Sequence, residues 1–500
     1  MSVIDPSPAR TQTIGGIPKR PRFWRPGGWL LIALAVATAG CAAGMFAVDD
    51  RLVVGILGFT VMLLLILLRT PIAVALIVPG VLGILSIGGL RLLTSLAGSV
   101  PYTSVASWSL SVLPMFILMG LLISSSGIAT TLFRAAQQWL WWLPGGLAVG
   151  TNAAGTGLAA VSGSTMGTTY ALGRVAMPEM LRAGYDKRVA MMAVMASGLS
   201  GQLIPPSILL VIYAGLVQAP VGPQLLAGII PGITISILIG FLMFLAALVF
   251  GRRAGGAIDR SMAAPFGTML KTLVSSWPVP VLIVVIVGGM FSGVFTATEA
   301  GAGAALVAGI IALVIAARRR EWAPLARGLS DTVQTVGMVF LLLIGAQFLT
   351  EMFLLTGVSA KFQEWILVAG FDRTTFLLVM LVFYIVLGLA METLPMLLLT
   401  IPVLVPTLEA LDIPLIFFGV FVVLLAEIAN LSPPVGILLY FLHSMFQDPS
   451  VNLGQKISLN DVFNAVWMLL PGAVIMLLLM IFFPELVMFL PDLALASSLS

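Results

Sequence analysis

Met391-Glu392-Thr393-Leu394-Pro395, followed 42 residues after Met391 by Pro433-Pro434-Val435-Gly436, repeats in outline an earlier passage of the same chain. There Ser162-Gly163-Ser164 is followed, 43 residues after Ser162, by Pro205-Pro206-Ser207. The residues running on from each proline pair agree in character, Ser207-Ile208-Leu209-Leu210 against Val435-Gly436-Ile437-Leu438. Proline removes a backbone donor and disfavours helix in the residue before it, so each pair interrupts a helix. Interrupted backbone inside hydrocarbon is tolerated only where it lines a protein cavity or binds something. Two matched interruptions imply two repeats that break their helices at the same depth. In secondary transporters such breaks hold substrate and coupling ions.

Composition sets the same class. The chain has 500 residues, 60% hydrophobic and 9% charged, with a mean hydropathy of +1.14. That is an all-α polytopic membrane protein, since its apolar runs are long and lack the every-second-residue alternation of β-barrel strands. One cysteine and one histidine, Cys41 and His443, exclude a disulfide framework and argue against a Cys/His metal centre. The sequence pI of about 9.4 calls for no nucleic acid. Its basic residues gather in short loops, as cytoplasmic loops do. Arg10, Lys19, Arg20, Arg22 and Arg25 precede the first apolar run, which places the N-terminus inside; Arg182, Lys187 and Arg188 form a second cluster. Arg252, Arg253 and Arg260 form a third, and Arg318, Arg319, Arg320 and Arg327 a fourth.

Residues 1–25 are rich in Pro, Thr and Arg and read as disordered. An additional membrane helix is expected within 26–50, its apolar run covering 29–48. Thr38-Ala39-Gly40-Cys41 loosely resembles a lipoprotein cleavage box, but the run is long for a signal peptide and is read as an uncleaved helix. The transporter domain spans 51–492, with one repeat over about 51–250 and the second over about 270–492. Spans are expected over 52–68, 72–90 and 113–128. Trp139, Trp141 and Trp142 suit an interfacial belt. The Gly-, Ala-, Ser- and Thr-rich stretch 145–180 reads as a re-entrant hairpin with its tip at 162–164, small residues permitting a tight reversal and close helix approach. Half-helices follow over 190–202 and 207–218, then a full span over 225–250. In the second half, helices are expected over 279–294 and on to 317, then 336–355, 374–390, 394–408 and 414–428. A half-helix to 446 and a last span over 466–490 complete the pattern.

Broken helices supply two tools. Half-helix N-termini carry partial positive charge and free amides that favour carboxylates; unwound segments offer carbonyls that suit Na⁺. Hydroxyls of Ser162, Ser164, Thr393 and Ser432, and the backbone at Gly201, add oxygens beside the breaks. Carboxylates inside a membrane are costly when unpaired, which makes Glu299, Glu392 and Glu427 functional candidates. Glu392, within the second triplet, stands first. Glu299 and Glu427 have an equal claim to a purely structural role, bonding loose backbone ends. Ser164, Glu392, Thr393 and Ser432 are the candidate substrate contacts.

The chain resembles the DctM-like large membrane subunit of tripartite ATP-independent periplasmic (TRAP) transporters over roughly residues 53–492. The resemblance is carried by Leu113-Pro114-Met115-Phe116-Ile117-Leu118-Met119-Gly120, Val161-Ser162-Gly163-Ser164, and Gly184-Tyr185-Asp186-Lys187-Arg188. Further on it rests on Ile204-Pro205-Pro206-Ser207, Phe295-Thr296-Ala297-Thr298-Glu299-Ala300, Met391-Glu392-Thr393-Leu394-Pro395, and Glu427-Ile428 with Pro433-Pro434-Val435-Gly436. It implies a secondary importer of an organic acid (a small-molecule carboxylate), coupled to Na⁺ and working by an elevator motion in the bacterial inner membrane. It also implies two partners, a small membrane subunit and a periplasmic substrate-binding protein. Carried over residue by residue, the first ion site uses carbonyls at Ser162, Gly201, Ile204 and Pro206. The second lies around Met391, Thr393 and the loop before Pro433. Two departures bear on these sites: Thr168 stands where some members carry Asp, and Glu392 where Asp is common.

One Na⁺ entering down a 100 mV potential supplies ~2.3 kcal/mol before any concentration gradient, enough for a pair of ions to accumulate an acid without ATP. H⁺ is the alternative coupling ion, with Glu392 as its carrier. Two competing classes are weighed. Gly198-Leu199-Ser200-Gly201 matches the nucleophile pattern of a rhomboid-like intramembrane serine protease, with His443 as the base. A non-transporting membrane scaffold has no use for acids and hydroxyls at its breaks.

Overall fold

The computed structural model describes residues 28–255, 264–389, 391–433 and 436–499, and every regular element among them is helical. The basic stretch 1–25 and Pro434 lie outside the described residues. Among those described, seven helices are long and apolar enough to cross a bilayer, or up to nine if two bent pairs each count as one span.

The expected additional helix is α1 (Gly28–Ala47), packed along α2 (Arg51–Leu67), which starts on the Asp50 carboxylate as acceptor for the Leu52 N–H. Met45 of α1 is 1% exposed and reaches Gly58 and Gly83, whose bare backbones are packed more closely still by Met352. The span expected over 72–90 is longer: α3 (Ile72–Val105) continues beyond a bend at Gly89 (φ 64°), a conformation that glycine adopts cheaply. The helix expected over 113–128 is α4 (Val112–Ser125), ended by Gly127 (φ 80°). There the chain turns by 68° into an unforeseen helix, α5 (Ile128–Leu140), which buries Ile128, Ala129 and Phe133 on one face. Trp139 and Trp142 are exposed, and Trp139 donates its indole N–H to the Met269 carbonyl at 3.3 Å.

The expected hairpin follows. α6 (Gly146–Ser162) and α7 (Thr165–Arg182) reverse through Gly163 (φ 61°), with the Ser164 hydroxyl capping α7 by accepting the Gly167 N–H at 3.1 Å. α8 (Lys187–Gly201) begins on the Asp186 cap, breaks over 202–207, and resumes as α9 (Ile208–Leu216), capped by Ser207. The span expected over 225–250 is α10 (Val221–Ala227) joined at Gly228 to α11 (Ile229–Phe250).

In the second half, α12 (Phe266–Ser275) meets α13 (Pro278–Ile283) at a 45° bend, and a π-turn (Val284–Gly288) leads to α14 (Gly289–Phe291). α15 (Ala297–Arg319) and the long α16 (Ala323–Thr356) follow, α16 lying along α3 and starting well before the expected 336. After the short α17 (Val358–Val368) comes a second hairpin, α18 (Arg373–Gly388) and α19 (Thr393–Ala410). A second broken helix follows it, α20 (Leu415–Leu431) and α21 (Ile437–Phe446). The short α22 (Pro449–Asn452) leads to α23 (Leu459–Phe482) and α24 (Glu485–Leu499). These last two divide at Phe483-Pro484 what was expected as one span over 466–490, because proline cannot continue the helix. Hairpin then broken helix thus occurs twice, and the buried core runs through both.

Candidate functional site

The first hairpin tip rests on its helix break, and the second hairpin packs against its broken helix just ahead of the break. At the first, α6 and α8 approach so closely that a Cβ on Gly201 would lie 1.8 Å from the Ala159 Cβ, and one on Gly155 2.0 Å from the Ser197 Cβ. Small residues create this contact, which carries the tip down to the break: a Cβ on Gly163 would sit 2.8 Å from the Pro206 carbonyl oxygen. The structure therefore brings Ser162, Gly201 and Pro206 to one locus. The Ser162 hydroxyl shares a 2.8 Å hydrogen bond with Thr168, the residue read as a departure from an acidic position. Ile204 is buried, with its side chain against Gly232 of α11. Ser164 is partly exposed and its hydroxyl serves the α7 cap.

At the second junction Gly388 packs on Ala429, which sets the end of α18 against the end of α20. Met391 and Thr393 are buried, and the Ser432 hydroxyl donates back to the Ile428 carbonyl at 2.8 Å. Glu392 caps α19 by its backbone position, makes no side-chain cap bond, and is exposed.

Glu427 ties the two junctions together. It is 4% exposed, and its carboxylate accepts from the Thr165 hydroxyl of the first hairpin at 2.9 Å, while the Thr165 oxygen also lies 3.3 Å from Gln202 Oε1. Thr393 Oγ1 of the second hairpin is buried with no hydrogen-bond partner among the described residues. Glu299 is placed differently. It closes a capping box at the start of α15, accepting the Thr296 N–H and hydroxyl at 2.8 Å each.

Thr165, Gln202 and Asn430 were missed in the sequence, though a signal was present. Thr165 and Thr393 each stand 40 residues before the first proline of their pair, and Gln202 and Asn430 each stand three residues before it.

At the opposite end of these helices, Asp461 of α23 accepts from Lys187 at 2.7 Å and from Arg188 at 3.2 Å, and closes a capping box with Ser458. The Gly184-to-Arg188 motif thus fastens the start of α8 to the start of α23. Ser200 and His443, the pair required by a serine protease, have other partners: Ser200 shares a 2.8 Å bond with Thr156, and His443 a 3.0 Å bond with Gln447.

Residues 59–486 match the profile of the tripartite ATP-independent periplasmic transporter, DctM component. The chain belongs to this family. In it the large permease works with a small membrane subunit and a periplasmic binding protein, and relatives are permeases rather than enzymes. The chain is 30% identical to the C4-dicarboxylate TRAP transporter large permease of Vibrio cholerae, over 70% of this chain and 80% of that one. It is 29% identical to the Pseudomonas aeruginosa protein of the same description, over 67% of this chain and 76% of the other. It is 26% identical to the ectoine TRAP transporter large permease of Halomonas elongata, over 86% and 97%. Among solved structures, the Alcanivorax borkumensis YdaH transporter is alike in fold, with a TM-score of 0.57 at 17% identity over 81% of this chain and 88% of that one. This DctM-family chain is therefore a multi-pass membrane transporter subunit.

Proposed function

We propose that this permease imports an organic acid through the inner membrane, driven by Na⁺, with substrate delivered by the periplasmic binding protein. The observation that carries the proposal is the docking of the first hairpin tip on its helix break, Gly163 on the Pro206 carbonyl, matched in the second half by a hairpin that packs just ahead of its own break, Gly388 on Ala429. Such junctions gather carbonyl oxygens for a hard monovalent cation and free helix N-termini for a carboxylate. Ser162, Gly201, Ile204 and Pro206 hold one ion, and Met391 and Thr393 with the loop before Pro433 hold the other. Ser164, Glu392, Thr393 and Ser432 face the substrate. Relatives described as C4-dicarboxylate permeases support the acid class, although the ectoine permease widens it.

The two hairpins enter from opposite faces. The loop after the first carries Arg182, Lys187 and Arg188, whereas the equivalent loop after the second, residues 411–414, holds Asp412 and no Lys or Arg. Opposed hairpins around one buried centre suit an elevator motion, with α3 and α16 as the fixed part.

The test is uptake of radiolabelled organic acids into proteoliposomes holding this chain and its small subunit, with the cognate binding protein outside. Uptake that needs both the binding protein and an inward Na⁺ gradient is expected. Uptake indifferent to Na⁺ overturns the coupling, and none of any acid overturns the substrate class.

A further inference from the structure

Beyond the two backbone-lined ion sites, we infer that Glu427, Thr165, Thr393 and Asn430 form an additional site for a monovalent hard cation, buried between the two junctions. The inference deepens the Na⁺-coupled reading and rests on it.

The two halves of the chain are in register here, yet differ. In the first, Thr165 and Gln202 are neighbours at 3.3 Å. In the second, the equivalent residues are Thr393 and Asn430, but Asn430 Oδ1 is buried without a hydrogen-bond partner among the described residues. A buried acceptor left open costs ~1–3 kcal/mol unless something donates to it.

The second half also carries an acid that the first lacks, for Leu199 stands where symmetry would put Glu427. Glu427 and Asn430 are three residues apart on α20 and so share a face. The Thr165 hydroxyl is at 2.9 Å from the carboxylate, and Thr393 Oγ1, like Asn430 Oδ1, is buried without a hydrogen-bond partner among the described residues. All four side chains are at least nine-tenths buried, at 6% exposure for Thr165 and Asn430, 5% for Thr393 and 4% for Glu427.

No ion pair among the described residues includes Glu427. Glu392, the acid at the second hairpin tip, is of the same sign; from the first hairpin α7 sets the Thr165 hydroxyl on the carboxylate, with Gln202 of the first break beside that hydroxyl. A buried carboxylate with no countercharge is costly, and a cation beside it removes both that cost and the open Asn430 acceptor. The donors are all oxygen, which selects hard ions over zinc or copper. One carboxylate among neutral oxygens balances a single charge, whereas Ca²⁺ or Mg²⁺ sites draw on more carboxylates or waters. Ligands from both hairpins and the second break make occupancy of this site a lock between the two junctions.

The test is equilibrium ²²Na⁺ binding to the purified permease with its small subunit, in wild type, Glu427→Gln, Glu427→Asp and Asn430→Ala. Thermal melting and co-elution with the small subunit check assembly of each. Wild type is expected to bind one more Na⁺ than Glu427→Gln. Asn430→Ala should weaken one site by at least the ~10-fold that losing even an outer-shell partner costs. Glu427→Asp should keep the count with lower affinity. Asn430→Ala deletes a carbonyl that has no native bond, so it decides the matter if Glu427→Gln fails to assemble. No ²²Na⁺ binding by wild type sinks the Na⁺ reading itself. Equal counts and affinities across the variants overturn this inference alone. An unchanged count in Glu427→Gln, together with loss of the pH dependence of uptake, makes Glu427 a proton site and likewise overturns it.

Discussion

The Thr165 hydroxyl donates to the Glu427 carboxylate at 2.9 Å, joining residues 262 positions apart in the chain. The bond links the first hairpin to the second broken helix, and both partners are shielded from solvent. Thr165→Val keeps the shape and removes the donor. A hydrogen bond to a charged group contributes about 1.5–3 kcal/mol, so the variant should melt several degrees lower in detergent. A melting temperature equal to wild type would show that the bond contributes nothing.

Contact between α6 and α8 depends on the missing side chain of Gly201. Gly201→Ala drives a methyl into Ala159 and should cost about 1–3 kcal/mol as the helices part. Uptake should fall with it. Adding Ala159→Gly vacates the same space, so the double variant should recover much of both melting temperature and uptake. Failure to recover either would place the damage elsewhere.

Asp461 holds Lys187 and Arg188 together at the foot of α8 and α23, and its side chain is 8% exposed. Asp461→Asn should lower stability by about 1.5–3 kcal/mol, the range for hydrogen bonds to charged groups. Lys187→Met in the same chain should add less than its separate effect, since both changes remove one interaction. Strict additivity in the thermal melts would argue against coupling.

The intramembrane acids separate by role. Glu299→Gln retains a carbonyl acceptor for the Thr296 cap and should leave uptake near wild type with a slightly lower melting temperature. Glu392→Gln, at the exposed tip of the second hairpin, should abolish most uptake while the protein melts normally. The reverse ranking in a paired uptake assay would exchange their assignments.

What could be read from the chain, and what could not, follows from how each feature is written. Ser162-Gly163-Ser164 marks its own reversal, because glycine alone accepts φ 61° cheaply, and the proline pairs mark the breaks by chemistry. α5 was not foreseen because its polar face dilutes the hydropathy that reveals a span, and α17 because its 11 residues are too few to stand out as one. The cap that Glu299 makes is written locally, since Thr296-x-x-Glu299 ahead of an apolar run is itself a capping signature. The meeting of Thr165 with Glu427 is a tertiary fact: nothing local to either residue points across 262 positions.

The central claim is that the tip–break junctions are where Na⁺ drives uptake. Its most direct test is Na⁺-gradient-driven accumulation of a labelled acid in proteoliposomes, comparing wild type with a Ser164→Ala, Glu392→Ala double variant of equal abundance and assembly. The account predicts steep Na⁺-dependent accumulation by wild type and almost none by the double variant. Equal accumulation by both would contradict it and move the site away from the hairpin tips.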